Sequence, residues 1–236
     1  MQFADIHIHA LYGCDDGPET PEEMHRMVDL AYRTGTRVLC LTPHYHPGYF
    51  GENGNAVRDT YQKLEAYVGE KYRDLTLYLG NELRFSRGCE GWLESGACLT
   101  LNGTRNVLVD FSANAPEGEI SRGAHRLLNA GYVPVLAHVE RYRALEGNMA
   151  LISGLRRDGV RIQMDAGAIT GEFGLRQSLW AKRLLSAGIV DLVCSDGHDL
   201  TRRKPCMDQA YSFLVKKYGI PAAEALCCRN AVKCLK

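Results

Sequence analysis

Phe3-Ala4-Asp5-Ile6-His7-Ile8-His9 decides how this chain reads: an apolar run ends in two histidines spaced two apart. On a strand that spacing turns both imidazoles to one face, whereas a helix would need three or four. The pattern recurs. Val38-Leu39-Cys40-Leu41-Thr42-Pro43-His44, Tyr132-Val133-Pro134-Val135-Leu136-Ala137-His138 and the run from Ile189 to Ser195-Asp196-Gly197-His198 also close on histidine. Leu75 to Glu82 and Val107-Leu108-Val109-Asp110 close on acids instead. As parallel strands, these runs deliver their polar ends to one edge of one sheet. Imidazole and carboxylate crowded together is metal-ion chemistry.

The composition narrows the classes. At 236 residues and 45% hydrophobic content, the chain can bury a full core, and no linker-like stretch divides it. Twenty-eight basic and 28 acidic residues cancel, which leaves no global field for nucleic acid or an anionic membrane. No segment approaches the roughly 18 consecutive apolar residues of a membrane span. The first residues carry Asp5, Asp15, Asp16 and Glu19 and do not read as a signal peptide. Nine cysteines include no Cys-x-x-Cys pair, so reduced thiols in a cytoplasmic protein are expected. Asn102-Gly103-Thr104 matches a glycosylation acceptor, but in such a protein it reads as a turn.

Strand-like and helix-like segments alternate. Thr20 is the expected N-cap of a helix with Pro21 first, Glu23 completing a capping box, and Met24, Met27, Val28 and Ala31 as its apolar stripe up to Gly35. A loop over Pro47 to Asn55 precedes a second helix of about 17 residues ending near Tyr72. Strand three spans Leu75 to Glu82, and Arg84 to Ala97 is irregular. Leu99 to Leu101, Asn102-Gly103 and Arg105 to Phe111 suggest a hairpin. Helices follow at Glu117 to Ala130, Gly147 to Arg157 and Leu175 to Ala187. Strands follow at Tyr132 to His138, Val160 to Asp165 and Ile189 to Ser195, and two helices close the chain from Cys206. About seven unbroken apolar strands favour a closed or nearly closed barrel with its site at the C-terminal strand ends. An open doubly wound sheet is the alternative, and it lacks a Gly-rich phosphate loop after the first strand.

Five imidazoles (His7, His9, His44, His138, His198) and four carboxylates (Asp16, Glu82, Asp110, Asp196) exceed one site and suit two or three ions with a bridging carboxylate. The competing reading makes them solvated strand caps. Mixed nitrogen and oxygen donors suit manganese, iron or zinc better than calcium or magnesium. Asp5 could orient the His7 ring from behind, or serve in a salt bridge or helix cap. Asp165 could be a tenth ligand, although turn capping suits it better. His25 and His125 fall in expected helices, and the role of His46 in its loop stays open.

Taken in order, Asp5-Ile6-His7-Ile8-His9, Asp15-Asp16-Gly17-Pro18, Thr42-Pro43-His44, Gly80-Asn81-Glu82, Ala137-His138-Val139-Glu140-Arg141-Tyr142 and Ser195-Asp196-Gly197-His198 resemble the polymerase and histidinol phosphatase (PHP) superfamily over essentially the whole chain. Within it the chain is most similar to the bacterial manganese-dependent tyrosine-protein phosphatases of capsular polysaccharide synthesis. The resemblance implies an α/β fold, a distorted TIM-like (β/α)7 barrel of the PHP type, as one domain over residues 1–236. It also implies three Mn2+ ions, with iron or zinc as alternatives, at the C-terminal face. The implied ligands are His7, His9, Asp16, His44, Glu82, Asp110, His138, Asp196 and His198, with Glu82 shared between ions. Arg141 and Arg203 match the arginines that hold the phosphate, as catalytic and substrate-binding residues. Two positions depart from the pattern: the family usually has Glu at 110 and an uncharged residue at 165.

The implied reaction is hydrolysis of phosphotyrosine by in-line attack of a metal-bridging hydroxide, without a phosphoenzyme. The implied partner is a phosphotyrosyl protein, a bacterial tyrosine kinase of polysaccharide export, with no membrane insertion; a homo-oligomer is compatible with the sequence. On its own residues, Arg141 has a competing reading as a surface ion pair with Glu140 or a neighbour, and Arg202-Arg203-Lys204 one as a solvated charge run. A cysteine phosphatase would need Cys-x5-Arg, and none of the nine cysteines has it; Cys14 reads as a loop residue. The alternatives are a phosphatase for a small metabolite such as histidinol phosphate and a non-catalytic metal-binding partner of a tyrosine kinase.

Overall fold

A computed structural model describes residues 2–50 and 54–236. Its strands are β1 (Phe3–Ile8), β2 (Thr36–Leu41), β3 (His44–Tyr45), β4 (Thr76–Leu79), β5 (Glu82–Arg84), β6 (Asn106–Asp110), β7 (Val133–Leu136), β8 (Arg161–Asp165) and β9 (Leu192–Cys194). The helices are α1 (Pro21–Arg33), α2 (Gly54–Lys71), α3 (Cys89–Glu94), α4 (Glu117–Asn129), α5 (Met149–Arg157), α6 (Ala166–Thr170), α7 (Leu175–Ser186) and α8 (Met207–Tyr218). A helical tail follows: α9 (Ile220–Glu224), a π-helical stretch Ala225–Arg229, and α10 (Asn230–Lys233). The fold is mixed α/β around a curled sheet. Strands run β1-β2-β4 and β3-β5-β6-β7-β8-β9, and every ladder between them is parallel.

Nine strands arise from seven apolar runs because two of the runs bend. Pro43 has no N–H to extend a ladder, and the chain leaves the first sheet there. At the same level Asn81 replaces the missing ladder bonds: its Nδ2 donates to the Pro43 carbonyl at 2.8 Å and its Oδ1 accepts from the Leu99 N–H at 2.8 Å. A Cβ on Gly80 would stand 3.0 Å from the Leu101 side chain, so the close crossing favours glycine. The one strand expected over Leu75 to Glu82 is therefore β4 plus β5, and the bend sets Glu82 at the start of the second sheet. At the other edge the Asp196 N–H donates to the His7 carbonyl at 2.9 Å and the His9 N–H to the Gly197 carbonyl at 2.8 Å. These bonds fasten β1 to the chain leaving β9.

The expected hairpin does not form. Asn102 and Gly103 do take left-handed φ values of 53° and 68°, but they turn a short 3-10 segment, Leu101–Gly103. Asn102 Nδ2 donates to the Leu235 carbonyl at 2.9 Å, so the turn holds the tail. Strand β6 pairs in parallel with β5 and β7 because Val107, Leu108 and Val109 are buried and need neighbours on both sides. Arg84 to Ala97, expected to be irregular, contains α3. Residues 51–53 of the expected Pro47 to Asn55 loop lie outside the described residues, and α2 starts at Gly54.

Helix α1 follows its sequence signals. Thr20 accepts from the Glu23 N–H at 3.2 Å, and Met24, Met27, Val28 and Ala31 are buried. Glu23 reaches back to the Glu19 N–H at 2.9 Å, one residue beyond the expected partner. Inside the curl, alternate residues of β6 form layers. Asn106 bonds the Cys234 carbonyl at 3.0 Å, Leu108 packs with Ala4, Ile6, Val135 and Leu192, and Asp110 emerges above them. The tail's Ala231, Cys234 and Leu235 close the lower end of this core, and the candidate donors gather at the upper end. All nine cysteines are free.

Candidate metal centre

Strand ends and the loop between β1 and α1 bring all nine candidate donors together. His9, Asp16, His44 and His198 form one group, His7, His9, Glu82 and Asp196 a second, and Glu82, Asp110 and His138 a third, with donor atoms inside each group within 4.8 Å of one another. Glu82 joins two groups through different oxygens. Its Oε2 lies 3.4 Å from His7 Nε2, 3.2 Å from His9 Nε2 and 2.8 Å from His44 Nδ1, while Oε1 lies 2.9 Å from His138 Nε2. Asp196 Oδ1 approaches His7 Nε2 at 3.1 Å. Asp16, half-exposed at the rim, reaches His44 and His198 at 3.4 and 3.3 Å.

The donor chemistry fits divalent cations. Buried His7 Nε2, His9 Nε2, Glu82 Oε2, Asp196 Oδ1 and His198 Nε2 crowd one another without a well-aligned hydrogen bond among the described residues, a costly arrangement unless the atoms share a cation. The opposite nitrogens are committed. His7 Nδ1 lies 3.2 Å from Gln163 Oε1, His9 Nδ1 2.6 Å from Asp15 Oδ2, and His198 Nδ1 2.9 Å from the Asp196 carbonyl. Each acceptor places the proton on Nδ1 and turns the Nε2 lone pair toward the cluster. Burial opposes charge on His7, but Glu82 and Asp196 outweigh it and push its pKa up to about 10. His44, also buried, is pushed up to about 9 with Glu82 as the leading attraction. Against burial, the surrounding imidazoles hold the Glu82 carboxyl well below the usual range, and His7 with Arg141 does the same for Asp196. The cluster concentrates negative potential where cations can replace protons.

The backbone is strained at two of these donors. His138 and Asp196 have φ of 31° and 51°, conformations that cost energy for residues other than glycine. Gly17 is needed for space: a Cβ there would sit 2.3 Å from the His9 carbonyl oxygen. It lets the Asp15-Asp16 loop pass close under β1, where Asp15 Oδ2 also accepts from the His44 N–H at 2.9 Å.

Arg141 and Arg203 converge beside the donors. Arg141 Nη2 lies 2.6 Å from Asp196 Oδ2, and Arg203 Nη2 lies 3.0 Å from the same oxygen. Arg203 Nη1 also reaches Asp16 at 3.2 Å. Arg141 is no surface partner of Glu140; it pairs with buried Asp165 at 2.6 Å. Two expectations are corrected here. Asp165 caps no turn, since its side chain makes no cap bond at α6 and instead takes Arg141 and the Gln163 amide. Asp5 makes no hydrogen bond to the His7 ring among the described residues; its Oδ1 accepts main-chain N–H groups of His7 at 3.4 Å and Ser195 at 3.1 Å, and burial pushes its carboxyl up to about 6. His46 stacks on Tyr49 outside the three groups. Burial and Asp15 push the Cys14 thiol up to about 11, away from reactive thiolate.

Sequence reasoning missed Gln163, Arg84 and the role of Asp15. Gln163 Oε1 accepts from the His138 N–H at 2.6 Å as well as facing His7, and its Nε2 donates to Asp165 at 3.1 Å. One side chain thereby links two candidate ligands to the partner of Arg141. Its only signal was the spacing of two from Asp165 on an apolar strand, which puts both on one face. Arg84 pairs with Asp110 at 2.8 Å and adds a third guanidinium to the rim.

Known proteins share this architecture. A family model described as capsular polysaccharide synthesis, CpsB/CapC, matches residues 3–236. The chain is 32% identical over 234 residues to the tyrosine-protein phosphatase CpsB of Streptococcus pneumoniae, covering 97% of this chain and 96% of that one. It is 31% identical over 219 residues to the tyrosine-protein phosphatase YwqE of Bacillus subtilis (strain 168), covering 91% and 85%. Crystal structures of YwqE and CpsB, presented as unique metal-dependent tyrosine phosphatases, include a chain that superposes with a TM-score of 0.85 at 30% identity, covering 94% and 90%. Dihydropyrimidinase from Brevibacillus agri, at 15% identity and a TM-score of 0.59 over 98% of this chain and 70% of its own, shares the fold alone.

Proposed function

Because the chain belongs to the CpsB/CapC family of capsular polysaccharide synthesis, we propose that it is a metal-dependent protein-tyrosine phosphatase. The carrying observation is the coincidence of three donor groups with two guanidiniums that meet at Asp196 Oδ2. His9 offers one free lone pair and serves one ion. Assigning it with His7, Glu82 and Asp196 leaves Asp16, His44 and His198 for a second ion and Glu82, Asp110 and His138 for a third. Manganese suits this set, and iron or zinc are the alternatives. When bound, the ions supply charge neutralisation and a lowered water pKa.

The chain's own residues bind and orient the substrate. Arg141 and Arg203 present planar forks that match two phosphate oxygens, and Asp165 with Gln163 keeps Arg141 in place. The fold reading that goes with this is the distorted (β/α)7 barrel of the PHP type over residues 1–236. Counting β2 with β3 and β4 with β5 as bent staves gives seven, which supports it. A cytoplasmic location and a bacterial tyrosine kinase as the phosphotyrosyl partner complete the proposal. No helix among the described residues is long and apolar enough to cross a membrane.

The test is turnover of a phosphotyrosyl peptide beside histidinol phosphate, before and after chelation. The His138→Ala and Arg141→Ala variants are expected to lose about 100-fold or more in kcat/KM while remaining folded. Full activity in the folded His138 variant, or preference for histidinol phosphate, would overturn the reading.

A further inference from the structure

A trough leaves the candidate site beside Arg141 and follows the exposed side of α7. Two cavities form it, of about 390 Å³ next to Arg141 and Phe173 and about 840 Å³ next to Leu179 and Arg183. Arg143, Glu146, Arg176 and Trp180 line both, so the cavities adjoin. The guanidinium of Arg141 lies 5.0 Å from the centre of the Phe173 ring, which joins the inner end of the trough to the phosphate-holding group.

Three features of this wall are unexplained by stability. Trp180 is 4% exposed, yet its indole N–H has no hydrogen-bond partner among the described residues; a buried donor of this kind ordinarily finds an acceptor. Leu175 and Leu179, one turn apart on α7, are 77% and 53% exposed. Helix α7 has no acidic residue in its first turn and no side-chain cap, while Arg176 sits at that end against the helix dipole. Glu146 pairs with Arg176 at 2.7 Å, whereas Arg143 and Arg183 have no ion pair among the described residues. Arginines thus outnumber the two lining acids, Glu140 and Glu146, and Glu140 is buried.

We propose that this trough binds the polypeptide flanking the phosphotyrosine and selects segments that carry acidic and apolar side chains. The inference rests on the phosphatase reading above and adds to it a substrate preference. Acidic side chains meet Arg143 and Arg183, and an apolar one covers Leu175 and Leu179. Charge complementarity and continuity with Arg141 favour this occupant over a second copy of the chain.

The experiment compares metal-loaded protein on two phosphotyrosyl peptides of equal length, one flanked by Glu and Leu and one by Lys and Ser, with p-nitrophenyl phosphate as a substrate too small to reach the trough. The acidic peptide is expected to lead in kcat/KM by about tenfold, and the lead should shrink as salt is raised. Arg143→Glu with Arg183→Glu should abolish the lead and leave p-nitrophenyl phosphate turnover unchanged; Leu179→Asp, checked for folding by circular dichroism, should reduce it. Equal kcat/KM for the two peptides, or a lead that survives the double variant, overturns the trough while the phosphatase reading stands. Absence of turnover on all three substrates overturns both.

Discussion

Replacing Gln163 with Leu removes three polar contacts from the centre of the molecule and tests whether that residue holds the site in shape. It strands the His138 N–H, now bonded at 2.6 Å, and the His7 Nδ1–H at 3.2 Å, and takes one donor from Asp165 at 3.1 Å. Each buried group left unpaired costs about 1–3 kcal/mol. Asp165 keeps Arg141, so its share falls at the low end, and the whole comes to roughly 3–6 kcal/mol. For a chain of this size that lowers Tm by roughly 6–24 °C. Releasing the His7 ring should also weaken metal binding by about 10–100-fold, the usual effect of losing a partner behind a ligating histidine. Gln163→Glu, which keeps an acceptor for both donors, should retain most of the metal affinity. Thermal melts by circular dichroism and competition against a chelating dye read the two quantities. A Leu variant that melts with the wild type and competes equally would refute the argument.

Protons on His7 and His44 must leave when metal binds. With their pKa values held up to about 10 and 9 by Glu82 against burial, metal affinity should rise with pH through neutrality, and calorimetry in two buffers should detect proton release; none would contradict the assignment. Asp110 Oδ1 lies 3.7 Å from His138 Nε2, farther than Glu82; Asp110→Glu should tighten the third ion, read as slower metal loss to chelator. Away from the site, Asp29 accepts from Lys71 at 2.7 Å and from Tyr67 and Tyr72. Burial opposes its charge, but these partners lower its pKa. Its contribution is therefore present above the unfolded carboxylate value and lost in acid as pH falls through the folded one. Asp29→Asn should cost no more than ~1 kcal/mol at pH 7 because the pair is partly solvated, and the deficit in urea melts should close below about pH 4.

Local rules carried much of the fold. A strand's period of two was visible in His7 and His9, and Thr20-Pro21 with the Met24, Met27, Val28, Ala31 stripe marked α1. What lay beyond reach depended on partners distant in sequence. The bends at Pro43 and Gly80-Asn81 exist because Asn81 finds Pro43 and Leu99, and no local pattern shows that. Asn102-Gly103 announced a turn correctly, but turn chemistry cannot say whether the next strand runs back or crosses over. At the site, charged and imidazole residues stood out against apolar strands, whereas Gln163 is neutral and its importance lies in three partners, two of them 25 or more positions away. Asp165 looked like a cap because it precedes a helix; only the fold shows Arg141 turning toward it.

The central claim is that nine separated side chains hold a cluster of ions which Arg141 and Arg203 serve with phosphotyrosine. Elemental analysis of manganese-loaded, gel-filtered protein, paired with phosphotyrosine release before and after chelation, tests it most directly. The account predicts about three ions per chain, activity that vanishes with chelator, and its return with manganese. Protein that retains full turnover after its metal has been stripped, or that holds no metal ion while active, would contradict it.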